Sequence, residues 1–250
     1  MSYSTSDLLL SLDGRPGVRH IDVTFSNPDV DIATVPELIS PLGGLIAIRS
    51  TAAIVEAVSS SAADAAAGTG ARTIRVWGLD ANWNEITEDI TLNGTTAVQG
   101  TKLFLRINTV SVLTAGTGLT NAGNITIRDA SAGTTRSYIA LGVSVSEVGL
   151  FSVPAGHTVL ATSWLVSSRI ATAVAAHIDL AMYSTKDGVR KIDWRMSATN
   201  LMSADLGSPH VWHEKTDIEV VCTRAQADNT VVYMHGHGLL VGPGTGLFRS

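Results

Sequence analysis

Two histidine pairs are the groups in this chain best suited to ligand chemistry. His210 and His213 bracket Val211-Trp212, and the run His235-Gly236-His237 sets two imidazoles on one face of a strand, since strand side chains alternate. Brought together, two such pairs would offer the nitrogen donors that zinc and similar ions take. The spacing is not that of a structural zinc site, and nothing in the sequence joins one pair to the other. The expectation is therefore no metal, no cofactor and no catalytic residue.

Other chemistries fare worse. Serine, histidine and aspartate are all present, but no Gly-x-Ser-x-Gly elbow positions a nucleophile. Gly68-Thr69-Gly70, Gly116-Thr117-Gly118 and Gly242-Pro243-Gly244-Thr245-Gly246 look superficially like phosphate loops. None ends in Gly-Lys-Ser/Thr, so they read as turns. Glu88 and Asp89 are neighbours on a strand and point to opposite faces, whereas a glycosidase needs two carboxylates facing across a cleft. Asp80 and Glu85 lie nearby, and all four read as solvated acids. Trp77 and Trp83 flank a hairpin turn; a sugar could stack on them, but packing is the simpler reading.

Composition narrows the classes further. The 250 residues are 45% hydrophobic, enough for a large core, yet only 16% are charged and 5% aromatic. Small and hydroxyl side chains at low charge suit sheet surfaces that neighbouring subunits cover. The net charge is −5 and the 17 basic residues are scattered, with no run beyond Val189-Arg190-Lys191, so nucleic acid is not expected as a partner. The lone Cys222 excludes an intrachain disulfide, fits a reducing cytoplasm and reads as a buried small residue beside Ile218 and Val220. No signal core or membrane-length apolar run is found, so no membrane partner is expected.

The elements that must carry these residues are strands. Thr73, Arg75 and Trp77 alternate with Ile74 and Val76, and Asn93-Gly94 and Asp187-Gly188 are hairpin turn signals. Further strands are expected at 53–58, 86–92, 103–113, 124–128, 137–143, 148–153, 158–167, 177–183, 190–196, 216–223 and 230–241. The Ala-rich stretch after Val58 reads as a loop through Gly70, because its serines favour local non-helical hydrogen bonds. Strands at this spacing without helical periodicity predict an all-β, antiparallel sandwich or jelly-roll-like fold. Its expected division is an extended N-terminal arm (1–44), a first sandwich module (45–145), a second (146–243) and a C-terminal tail (244–250), although one large sandwich fits the same pattern. Prolines 16, 28, 36 and 41 limit the arm to edge strands.

The run from Ser59 to Gly94 resembles a pattern in virion structural proteins of tailed bacteriophages. The residues that carry the likeness are Ala66-Ala67-Gly68-Thr69-Gly70-Ala71-Arg72-Thr73, Gly78-Leu79-Asp80-Ala81 and Leu92-Asn93-Gly94-Thr95-Thr96. Val153-Pro154-Ala155-Gly156-His157-Thr158 and Glu214-Lys215-Thr216-Asp217-Ile218-Glu219-Val220 resemble its later part, so the likeness spans 53–241 and omits the arm. It implies a non-enzymatic virion protein, made in the bacterial host cytoplasm. The first expectation is a capsid decoration or cement protein that stabilises an icosahedral shell. Its partners would be the major capsid protein or other virion proteins, and it would form a homo-oligomer, a trimer if it sits on threefold positions. A neck or tail component (adaptor or fibre anchor) and a tail-associated glycan-binding or depolymerising module are the alternatives. Leu8, Leu9, Leu10, Ile21, Val23 and Phe25, apolar pieces of the arm, are the expected anchoring residues unless the arm packs on its own domain.

Overall fold

The computed structural model describes residues 15–44, 46–170 and 176–243, and among them the regular secondary structure is strand alone. The chain divides into two compact units: unit 1 takes residues 1–39 and 153–250, and unit 2 takes 40–152. Unit 1 begins with β1 (Val18–Val30) and β2 (Glu37–Leu38). Unit 2 holds β3 (Ala53–Ser59), β4 (Ala71–Leu79), β5 (Glu85–Thr91), β6 (Val98–Phe104), β7 (Arg106–Ala115), β8 (Ile125–Asp129), β9 (Thr135–Ile139) and β10 (Leu150–Ser152). Unit 1 resumes with β11 (Thr158–Ile170), β12 (His177–Lys186), β13 (Val189–Thr199), β14 (Leu201–Trp212), β15 (Asp217–Ala225) and β16 (Thr230–Val241).

Unit 2 is an antiparallel sandwich of sheet β6-β3-β8-β9 and sheet β5-β4-β7. Period-two alternation sends Val55, Ala57, Ile125 and Ile127 from one sheet and Ile74, Val76, Ile90 and Val110 from the other into one core. The stretch read as one strand over 103–113 is two, β6 and β7, broken at Leu105 where the chain leaves one sheet for the other. The small-residue segment after β3 is the expected loop, and a buried carboxylate organises it. Asp64 accepts hydrogen bonds from Ser59 Oγ (2.6 Å), Ala71 N (2.7 Å), Ala122 N (2.8 Å) and Gly123 N (2.9 Å).

Unit 1 is a second sandwich. One sheet runs β1-β16-β11-β14, and the other includes β15-β12-β13, with β2 paired to β15. Between them Trp164 of β11 and Trp212 of β14 meet Trp194 of β13 edge-on, with ring centroids 6.0 to 6.4 Å apart. The segment expected to offer edge strands at most contributes β1, an edge strand whose Pro28 falls where the register against β16 shifts, between Asn27 and Val30. β14 was not expected. It carries Pro209, tolerated because β14 lies at the other edge and bulges away from β11 between Asp205 and His210. No helix among the described residues is long and apolar enough to cross a membrane.

Candidate functional site

The geometry that gathers ligand atoms lies on β1 and β16. Along β16, Val232, Met234 and Gly236 point inward while Tyr233, His235 and His237 point outward. Gly236 is dictated by the core, since a Cβ there would lie 2.0 Å from Trp164 Cζ3. The ladder places Asp22 opposite His237 and Thr24 opposite His235, and directly opposed residues share a face. Asp22 Oδ1 lies 2.6 Å from His237 Nδ1, and Thr24 Oγ1 lies 2.8 Å from His235 Nδ1. The two imidazole centroids are 4.4 Å apart. One ligand atom from each of Asp22, His235 and His237 falls within 4.8 Å of the others. The site is open: the His237 side chain is 52% exposed and that of Asp22 62%.

The second histidine pair does not join the first. His210 packs against Trp194 (5.0 Å) and Trp212 (4.6 Å), on the inner face of the sheet whose outer face carries His235 and His237. His213 lies beyond the end of β14 and is exposed. The Asp193 side chain is 3% exposed, accepts from Trp212 Nε1 at 2.6 Å and lies 3.6 Å from His210 Nε2. Burial lowers the His210 pKa below its ordinary value; Asp193 opposes that shift and Lys191 adds to it. Burial would raise Asp193, but the hydrogen bond from Trp212, with Ser184, Lys191 and His210 nearby, brings it below its ordinary value.

The glycine runs are not anion cradles, because their amides are already used. Gly68 N donates to Ala65 O (2.8 Å) and Gly70 N to Ala63 O (2.9 Å). Gly116 N donates to Gly70 O (2.8 Å) and Gly118 N to Thr69 O (2.8 Å). The two Gly-Thr-Gly runs thus lie against each other, so close that a Cβ on Gly116 would sit 2.3 Å from Gly68 O. In the third run only 242 and 243 are described, and Gly242 N donates to Gly17 O. Asp64 had escaped the sequence reading. Its signal was there: it is the one charged residue among the small residues from Ser59 to Gly70.

The remaining candidates are also engaged within the fold. Glu88 is buried rather than solvated: it accepts from Thr101 N (2.6 Å), Thr101 Oγ1 (2.8 Å) and Lys102 N (3.2 Å), tying β5 to β6. Asp89 points the other way into a bidentate pair with Arg75, at 2.6 and 2.7 Å. Asp80 caps its own turn through Asn82 N and Asn84 N; these bonds outweigh a burial effect that would raise it, and its pKa is lowered. Trp83 stacks on the guanidinium of Arg106 at 4.7 Å. Arg106 donates to Arg49 O at 2.7 Å, while Arg49 and Arg136 share Asp129. Burial, reinforced by Arg136 and Arg106, lowers Arg49 to about 10.

Cys222 is buried, and desolvation pushes its thiol up to about 11, which leaves it inert. Of the expected anchoring residues, Leu8, Leu9 and Leu10 lie outside the described residues. Ile21, Val23 and Phe25 share the inner face of β1; Phe25 is 4% exposed and opposite Met234, and the other two are half-buried.

No family model matches the chain, and no curated protein matches it. Among solved structures, that of infectious bursal disease virus strain Gx is 11% identical, covers 93% of this chain and 73% of its own, and has a TM-score of 0.22. Strain Gt of the same virus gives 8% identity, coverage of 94% and 75%, and a TM-score of 0.20. Particles of T=1 symmetry derived from infectious bursal virus give 11%, 92%, 70% and 0.20. At such scores the likeness carries no argument about fold or function.

Proposed function

We propose that this chain is a non-enzymatic structural protein of a virus particle and, within that class, a decoration or cement protein of an icosahedral shell. One contrast supports the reading. Asp64, Glu88, Cys222 and the Gly-Thr-Gly runs are engaged within the two sandwiches, while large apolar side chains stand in solvent. Leu119 is 85% exposed and Leu141 61% in unit 2, and Val189 is 68% and Leu201 66% in unit 1. Such side chains gain by being covered. The protein would bridge capsid subunits, probing for contact areas of about 1,200–2,000 Å² per stable interface. Repetition over a lattice would multiply individually modest contacts. A homo-oligomer, trimeric on threefold positions, is the matching assembly.

The test is to purify particles with and without this protein, measure its copies per particle, and record the temperature at which the genome is released. Decoration requires copies in proportion to a repeated lattice site and a lower release temperature when the protein is missing. A handful of copies with an unchanged release temperature would instead indicate a neck or tail position. The N-terminal anchor is proposed within the same reading: a chain truncated before Arg15 keeps β1 whole, so loss of particle binding would implicate Leu8, Leu9 and Leu10.

A further inference from the structure

We propose that Asp22, His235 and His237 form a binding site for a divalent transition-metal ion such as Zn²⁺, on the outer face of the sheet β1-β16-β11-β14. Two imidazole nitrogens and a carboxylate oxygen are the donor set that zinc takes in sites with three protein ligands. Calcium and magnesium prefer all-oxygen surroundings, so the same set discriminates against them. Zinc holds nitrogen and carboxylate oxygen at about 2.0–2.2 Å, which places ligand atoms about 3.3 Å apart around a tetrahedral ion. The three residues already bring ligand atoms within 4.8 Å of one another, so modest side-chain rotation closes the set.

The framework holds that arrangement in place. The ligands stand on two directly hydrogen-bonded strands, in a register that runs unbroken from Val18↔Val241 to Asn27↔Val232. The alternation of β16 is fixed from the other side, where Gly236 makes room for Trp164 and leaves both flanking histidines outward. Thr24 Oγ1 sits at His235 Nδ1, orienting that ring and leaving its Nε2 for the ion. Exposure of Asp22 and His237 leaves the remaining coordination positions to water in the isolated chain. An imidazole–carboxylate ion pair would give the 2.6 Å contact between Asp22 and His237 without any metal, and experiment separates the two cases. Binding would clip together residues 215 positions apart in sequence, fixing the edge strand β1 to β16 and stabilising the fold by mass action.

The experiment uses the full chain without an affinity tag, stripped with chelator and titrated with ZnCl₂ by calorimetry at neutral pH, with MgCl₂ as the oxygen-preferring control. The expected result is one Zn²⁺ per chain, a rise in melting temperature on Zn²⁺ addition, and no heat from Mg²⁺. His235→Gln and His237→Gln should each weaken Zn²⁺ binding at least tenfold, judged against the roughly 10–100-fold that even outer-shell partners contribute. The pair together should abolish both the binding and the thermal shift, and His213→Gln should change neither. Circular dichroism confirms that each variant is folded. No Zn²⁺ binding by the unaltered chain, or equal binding by the double variant, overturns the proposal.

Discussion

The carboxylate of Asp64 shows how much one residue can organise in a loop with almost no side chains. Its four donors come from β3, from the start of β4 and from the segment before β8, so a single buried acid joins three stretches of unit 2. Asp64→Ala leaves those donors unpaired in a dry site, at about 1–3 kcal/mol for each group not rescued by water. Urea denaturation should report a loss of about 3 kcal/mol or more, and a loss below 1 would show that solvent reaches the site. His210 governs a different property. Its folded-state pKa is lowered, so the folded protein keeps the ring neutral while the unfolded chain takes up a proton below the ordinary value of 6.5. That contribution is complete above this pH and is lost as pH falls beneath it. The charged groups facing the ring, Asp193 and Lys191, oppose and deepen the effect respectively. Melting temperature measured from neutral pH to about pH 5 should fall less steeply in His210→Gln than in the parent; parallel curves would remove His210 as a contributor.

At the scale of elements, β1 and β16 depend on fitting the core behind them. Phe25 is 4% exposed and faces Met234, so Phe25→Ala should destabilise the isolated chain by about 3–5 kcal/mol. A near-neutral effect would mean that β1 rests on the sheet without being part of its fold. Gly236→Ala drives a methyl group into the Trp164 ring, itself wedged between Trp194 and Trp212. Overpacking of this kind costs about 1–3 kcal/mol, and near-UV circular dichroism of the tryptophans should change with it. These elements also show where sequence reading succeeds. The alternation around Ile74 and Val76 marked β4, and Asn93-Gly94 and Asp187-Gly188 marked turns whose Gly94, Asp187 and Gly188 take positive φ. β14 was hidden because Pro209 argues against a central strand, and only the finished sheet reveals the edge and bulge that admit it. The histidine pair of β16 was legible from spacing alone. Its partner Asp22 was not, because pairing across more than two hundred positions leaves no local trace.

At the scale of the whole molecule, the order of segments makes unit 2 an insertion within unit 1. The chain leaves unit 1 after Ile39 and returns at Val153. Both points are anchored near the start of β15: Ile39 N donates to Val220 O on that strand at 2.9 Å, and Val153 N to Thr216 O, the residue just before it, at 2.9 Å. Those acceptors are four positions apart along the chain, or about 13 Å at 3.3 Å per residue. A linker of about five Gly/Ser residues spans that gap, since an extended chain covers about 3.3–3.6 Å per residue. Among the described residues, the core of unit 2, from Val55 to Ile139, is built from unit 2 side chains, and a segment of about a hundred residues is large enough to fold alone. Residues 40–152 expressed by themselves should therefore unfold in one cooperative transition. The complementary chain, with 40–152 replaced by the short linker, should keep the near-UV signature of Trp164, Trp194 and Trp212, all of which lie in unit 1. Loss of that signature together with a non-cooperative melt of the excised segment would show that neither unit holds its shape without the other.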